Sequence, residues 1–232
     1  MSGLPRDLRV VRHARARRIK LRLDQRDGAP VLVLPPGASR RAGEAFVREN
    51  LDWLAERRAA RPEARPFAHG VVFPYLDEQL TVVHRPDGRF GVRRSGDLLE
   101  VAGADPHVNR RTGDWLKKQA RRRLEAASRG HAETLGVRIA RVRIADQKSR
   151  WGSCSAGAVL SFNWRLIFAP SAVLDFVAAH ETAHLREMNH GPAFHRLVAD
   201  LHPDPSGADA WLREHGPGLR VWGQTGQDAA SG

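Results

Sequence analysis

The 232-residue sequence has only one cysteine, one tyrosine and two methionines. A single cysteine excludes an internal disulfide framework and suits a reducing compartment. No stretch approaches the roughly 18 apolar residues that cross a bilayer. The opening Met1-Ser2-Gly3-Leu4-Pro5-Arg6-Asp7 lacks the apolar run of a secretory signal. Cytoplasm is the expected location, with no membrane partner. Internal repeats, low-complexity tracts and Gly-rich phosphate loops are also missing. Acidic residues are outnumbered, 26 against 38 Lys and Arg, for a formal net charge of +12. Such an excess fits DNA or another polyanion, although arginines spread along the whole chain also fit an ordinary solvated surface. A hydrophobic content of 41% is that of a globular chain able to bury a core.

What is present reads as an α+β protein in two parts. Residues 18–24 alternate apolar and charged side chains, the period of a half-buried strand. Gln25, Arg26, Asp27 and Gly28 form a turn, and residues 31–34 are the return strand, stopped by Pro35-Pro36. Ser39 is set to cap a helix running to about Arg61, with Phe46, Val47, Leu51 and Leu54 as its apolar stripe. Short strands follow at 71–73, 80–84, 90–92 and 98–101, separated by turn residues such as Asp87-Gly88. Residues 1–108 are therefore a small β-rich unit with one helix. Trp53, Tyr75 and Trp115 read as core residues rather than base-stacking platforms.

Residues 109–223 open with a helix over 111–135, closed by Gly136. Leu116, Ala120, Leu124, Ala127 and Leu135 form its buried side. Lys117, Lys118, Arg121, Arg122 and Arg123 make a basic cluster, a solvated face that is also the first element to test for phosphate contact. Residues 137–144 alternate as a strand, and 150–155 pairs with 158–163 around Ala156-Gly157. Cys154, lying between strands, reads as a small core residue more readily than as a nucleophile. Ser171 caps a helix that buries Val173, Leu174, Val177 and Ala178. After Gly191-Pro192 another helix carries Phe194, Leu197, Val198 and Leu201. Residues 224–232 form a flexible tail.

The helix capped by Ser171 ends in His180-Glu181-Thr182-Ala183-His184. Four residues on an α-helix are roughly one turn plus 40°, so His180 and His184 share a face and can share a metal ion. Glu181 reaches the flank of that site. This is the H-E-x-x-H arrangement of zinc hydrolases, in which the glutamate is the general base. A third protein ligand leaves one open position for water. His190 leads, because the chain is expected to leave the helix near Met188-Asn189 and can fold back. Glu187, on the same helix, is the alternative. A chain with eleven histidines meets H-E-x-x-H by chance on the order of a few per cent of the time, and a further histidine at this offset makes accident rarer.

Three segments together resemble a known family. Arg150-Trp151-Gly152-Ser153-Cys154-Ser155, then Asn163-Trp164-Arg165-Leu166-Ile167 with Ala169-Pro170, then the motif ending Asn189-His190 with Phe194 resemble the bacterial YgjP-type metal-dependent hydrolases. These are relatives of the SprT-like and Wss-type zinc proteases. The resemblance extends to the first strand pair and the Trp53 helix, so it covers nearly the whole chain. It implies His180, His184 and His190 as zinc ligands and Glu181 as catalytic acid/base. It also implies a minimal zincin-like core, with the H-E-x-x-H helix packed on a small sheet. Thr182 stands where the family usually has leucine, which suits a half-exposed position. His195 stands where it usually has tryptophan and adds a fourth imidazole. The histidine spacing also equals that of metzincins, but Glu187 replaces their glycine and no methionine follows His190.

The expected function is a zinc-dependent metallopeptidase holding one Zn2+ ion and acting on a protein or peptide. The alternatives are a metal-dependent nucleotide pyrophosphatase and a nucleic-acid-associated protein with a structural metal. The oxyanion donor is sought among His195, Arg165 and Asn163. Asp175, Glu187 and Asp200 are the carboxylates available to orient the imidazoles.

Overall fold

A computed structural model describes residues 3–24, 28–59 and 63–225. It is a mixed α+β fold of small sheets and helices, divided into one compact unit through Glu63 and another over Ala64–Gln224.

The first unit contains β1 (Arg9–Arg12), β2 (Lys20–Leu23) and β3 (Pro30–Leu34) in the order β1-β3-β2. The expected strand pair is the antiparallel β2–β3 ladder, with Lys20 opposite Val33. The parallel pairing of β1 with β3 was not anticipated. Gln25, Arg26 and Asp27 of the expected turn lie outside the described residues. The single helix expected over 39–61 is two helices, α1 (Arg40–Glu49) and α2 (Leu51–Ala59). Its expected end at Arg61 lies outside the described residues. The break comes from Asn50, whose side-chain amide donates to the Phe46 carbonyl at 2.8 Å. That carbonyl is the one a continuous helix would offer to the Asn50 N–H. Ser39 does cap α1, accepting the Ala42 N–H at 3.1 Å. Val47 and Leu54 are buried with Leu32 and Leu34 of β3. Gly43 lets α1 approach that strand, since a Cβ there would lie 2.6 Å from Leu34 Cδ2.

The second unit begins with β4 (Val72–Tyr75), β5 (Glu78–Arg85), β6 (Val92–Ser95) and β7 (Leu98–Ala102), ordered β4-β5-β7-β6. Leu80, Val82, Leu99 and Val101 of this sheet share one core with Leu116, Ala120 and Leu124 of α3 (Val108–Leu135). The division expected at 108/109 therefore falls inside this unit, between a sheet and a helix that bury each other's apolar faces. Gly136 closes α3 with a left-handed φ of 64°. Of the three aromatics expected in cores, Tyr75 is buried and Trp115 half-buried, but Trp53 is exposed, with Arg57 over its ring.

β8 (Arg141–Ala145), β9 (Gly152–Cys154) and β10 (Val159–Asn163) form the sheet β8-β10-β9. β10 lies parallel to β8 and antiparallel to the edge strand β9. β8 starts later than the alternation predicts, because the Val137 N–H is still held by Ala132 at the helix end. Next come a 3-10 turn over Trp164–Phe168, α4 (Ser171–Ala183), α5 (Pro192–Leu201) and α6 (Pro205–Leu219). Pro170, not Ser171, is the N-cap of α4, and the Ser171 N–H donates to Asp77 at 3.0 Å. Helix α6 has no counterpart in the sequence expectations.

Candidate metal centre

Helix α4 is apolar on nearly every side of its first turns, with Val173, Leu174 and residues 176–179 buried, so packing rather than amphipathicity holds it. It carries His180 and Glu181 in its last turn and ends at Ala183. That exit is earlier than the Met188-Asn189 exit expected. The chain tightens through Leu185 N–H to Thr182 O and Arg186 N–H to Ala183 O, both at 3.0 Å. Thr182 is fully buried rather than half-exposed. Its hydroxyl donates back to the Ala178 carbonyl at 2.7 Å, which satisfies the one polar group a leucine would not bring.

The early exit returns His190 to the helix. One ring nitrogen from each of His180, His184 and His190 lies within 4.8 Å of the others. Nε2 of His180 and Nε2 of His190 are 3.2 Å apart. Two imidazoles on one tetrahedral ion with ligand bonds of about 2.0–2.1 Å would have nitrogens roughly 3.3–3.4 Å apart. The triad therefore fits a shared metal ion. Nδ1 of His184 lies 3.0 Å from the Glu187 carbonyl, which can only accept, so the proton sits on Nδ1 and Nε2 keeps its lone pair. Glu187 thus contributes its backbone to the site, while its carboxylate turns to the Asn189 N–H at 3.5 Å.

Phe194 of α5 lies against all three rings, with centroids 4.9 Å from His180, 4.5 Å from His184 and 4.6 Å from His190. Sequence reading assigned Phe194 to an apolar stripe and missed this part. Its ring restricts the imidazole rotamers by contact, each such pair contributing about 1 kcal/mol.

Burial sets the electrostatics. His180 is pushed down to about 4, first by desolvation and then by the neighbouring imidazoles. Burial also lowers His184, against the opposing Glu187 hydrogen bond. Glu181, 6% exposed, is pushed up to about 7 by desolvation, with the charge of Arg150 pulling the other way. Gly152 of β9 makes the room for this carboxyl. A Cβ at that position would sit 2.5 Å from both Cγ and Oε1 of Glu181. Burial, and then Glu181, raise the Cys154 thiol, which keeps it protonated and unsuited to nucleophilic work.

A family model for the YgjP-like metallopeptidase domain matches residues 17–215. The chain belongs to the YgjP-like metallopeptidase family. The match runs through both compact units. Among solved structures, the metallopeptidase zymogen of Pyrococcus abyssi abylysin is 20% identical, with a TM-score of 0.36, over 40% of this chain and 92% of that one. Comparison with curated proteins returns no significant match.

Other polar residues suspected from the sequence are committed elsewhere in this YgjP-like chain. Arg165 pairs with Asp146, donates to the Trp222 carbonyl and lies over Trp164. Asn163 is fully buried, accepting from the Arg165 N–H and donating to the Gln147 carbonyl. Neither can serve a developing oxyanion without breaking the frame under β10. Asp175 pairs with His131 at 2.9 Å, and Asp200 is exposed on α5. The Glu187 carbonyl orients His184 and the Phe194 ring packs on all three imidazoles, and none of Asp175, Glu187 or Asp200 offers them a carboxylate. His195 is exposed beside Phe194 and lines a recess with His180, leaving it as the oxyanion candidate nearest the triad.

Proposed function

We propose that the chain is a zinc-dependent peptidase with a minimal zincin-like core, in which His180, His184 and His190 hold the ion and Glu181 is the general base. The observation that carries this reading is the convergence of three ligand nitrogens within 4.8 Å, next to a buried carboxyl on the same helix. An all-imidazole set of three suits a catalytic zinc, whereas structural zinc takes four protein ligands. When bound, the ion would supply a Lewis acid to polarise a carbonyl and acidify water.

The chain's own groups supply the rest. Glu181, buried beside the imidazoles, can take a proton from the attacking water and later hand it to the departing amine. Gly152 leaves the room that carboxyl occupies beside β9. β9 is an edge strand, so an extended peptide can pair with its free side and pass beside Glu181. His195 is the donor proposed for the oxyanion.

The test is hydrolysis of casein and of UTP by purified protein, before and after chelation and with zinc restored. Zinc-dependent casein cleavage is expected. Cleavage of UTP alone would replace the peptidase with a pyrophosphatase. His190→Ala should lower zinc occupancy, and unchanged occupancy would remove it from the ligand set.

A further inference from the structure

The first compact unit has a recess of about 740 Å3 away from the imidazole triad in sequence and built entirely from its own residues. It lies along β2, the edge strand of its sheet, so that side chains from both faces of that strand reach it. Lys20 and Arg22 point outward, while Leu21 packs toward the core shared by the strands and α1. Side chains two apart on a strand share a face at a spacing of about 6.6 Å. The connection from β1 to β2 adds Arg15 and Arg18 to the same wall. All four cations are exposed, and among the described residues no carboxylate lines the recess.

Among the described residues none of these four side chains has an ion-pair partner. Several other arginines of the unit are engaged, although Arg6, Arg17, Arg41 and Arg48 have no ion-pair partner among the described residues either. Arg40 pairs with Glu44, Arg58 with Asp7, and Arg12 donates to the carbonyls of Pro36 and Ala38. The basic cluster of α3, singled out from the sequence, is partly engaged as well. Lys117 lies 3.3 Å from Asp114 and Arg121 donates to the Val142 carbonyl. The recess sets four cations without an ion-pair partner along one wall, where the like charges repel until an anion enters.

The floor narrows the choice of anion. Ile19, Leu21 and the Phe46 ring line it and are only half-buried. A free phosphate has no use for an apolar floor, and a duplex keeps its base faces inside. A single strand offers both phosphates and unstacked bases. We propose that this recess binds single-stranded nucleic acid, with Arg15, Arg18, Lys20 and Arg22 on the phosphates and bases against Ile19, Leu21 and Phe46.

The experiment uses the full chain and a fluorescein-labelled oligothymidylate of about 20 nucleotides, longer than typical single-strand site sizes. Anisotropy is followed over a range of salt. Four phosphate contacts predict a slope of log K against log salt of about −3. The combined variant Arg18→Ala/Lys20→Ala/Arg22→Ala should flatten that slope by about 2 and weaken binding at least about tenfold at low salt. If it fails to fold, Arg18→Ala and Arg22→Ala singly should each flatten the slope by about 0.7. Arg18→Lys/Arg22→Lys should retain the slope, and Lys118→Ala/Arg122→Ala/Arg123→Ala on α3 should leave binding unchanged. The proposal is overturned if the oligothymidylate does not bind at low salt. It is equally overturned if the groove variant binds like the parent, if the α3 variant is the one that fails, or if duplex, heparin or polyglutamate binds as tightly with the same slope.

Discussion

Two sheets of this molecule share one topology and carry different chemistry. In β1-β3-β2 and in β8-β10-β9, the third strand lies between the other two, parallel to the first and antiparallel to the second. In both, the second strand is left at an edge. β2 lines its edge with Lys20 and Arg22, whereas β9 has Gly152 against a buried carboxyl on α4. Strand order thus supplies an open edge and nothing more, and the side chains on it decide what it meets. The comparison can be broken by changing those side chains one at a time.

The largest effect is expected from Glu181→Gln. Loss of the proposed general base should reduce kcat by about 10²- to 10⁴-fold at unchanged metal content. Turnover near the parental value would remove Glu181 from the chemistry. Gly152→Ala comes next, since the added methyl must displace a carboxyl 2.5 Å away. A shift of about 1 Å in a catalytic group can cost about 10²-fold in rate. The matched change on the other edge, Arg22→Ala, should leave turnover unchanged. If both variants lose the same activity, the two edges do not have separate tasks.

These contrasts were only partly legible in the sequence. His180 and His184 could be paired on a helical face because helical spacing is local, and His190 was within reach because Gly191-Pro192 signals a helix break. The contact of Phe194 with three imidazoles, and the need for glycine at 152, depend on α5 and β9 arriving from elsewhere. The parallel pairings of β1 with β3 and β8 with β10 join segments separated by a whole strand, which alternation cannot report. Helix α6 contains Gly207, Gly216 and Pro217, so its propensity is poor, and packing of Ala208, Leu212 and Leu219 overrides it. The break at Asn50 was readable in principle, because an asparagine inside a helix can capture the carbonyl one turn back.

A stability measurement probes the buried side of the comparison. Glu181 titrates at about 7 in the folded chain against 4.5 ordinarily, so across that window the folded state keeps a proton that the unfolded state has lost. Stability of chelator-treated protein should therefore fall as pH rises through it, by ~3 kcal/mol from this group. His180 works oppositely. Titrating at about 4 against 6.5, it makes stability rise with pH over its own window, so the two largely cancel between them. The informative quantity is Glu181→Gln minus parent, measured by urea unfolding with chelator. It should swing in favour of the variant by ~3 kcal/mol from about pH 4 to about pH 8. A flat difference would mean that the carboxyl is not held protonated by burial.

The smallest effect concerns the helix behind the other edge. Ser39 Oγ accepts the Ala42 N–H and relieves one of the unpaired donors at the start of α1. Ser39→Ala should cost ~1 kcal/mol locally, which amounts to about fivefold faster exchange of the Ala42 amide hydrogen. The cap lies in a different compact unit from the imidazoles, so zinc content and casein turnover should not move. Were turnover to fall with that cap, α1 and the sheet it covers would be part of the hydrolytic machinery. The edge of β2 would then have to be read together with that of β9.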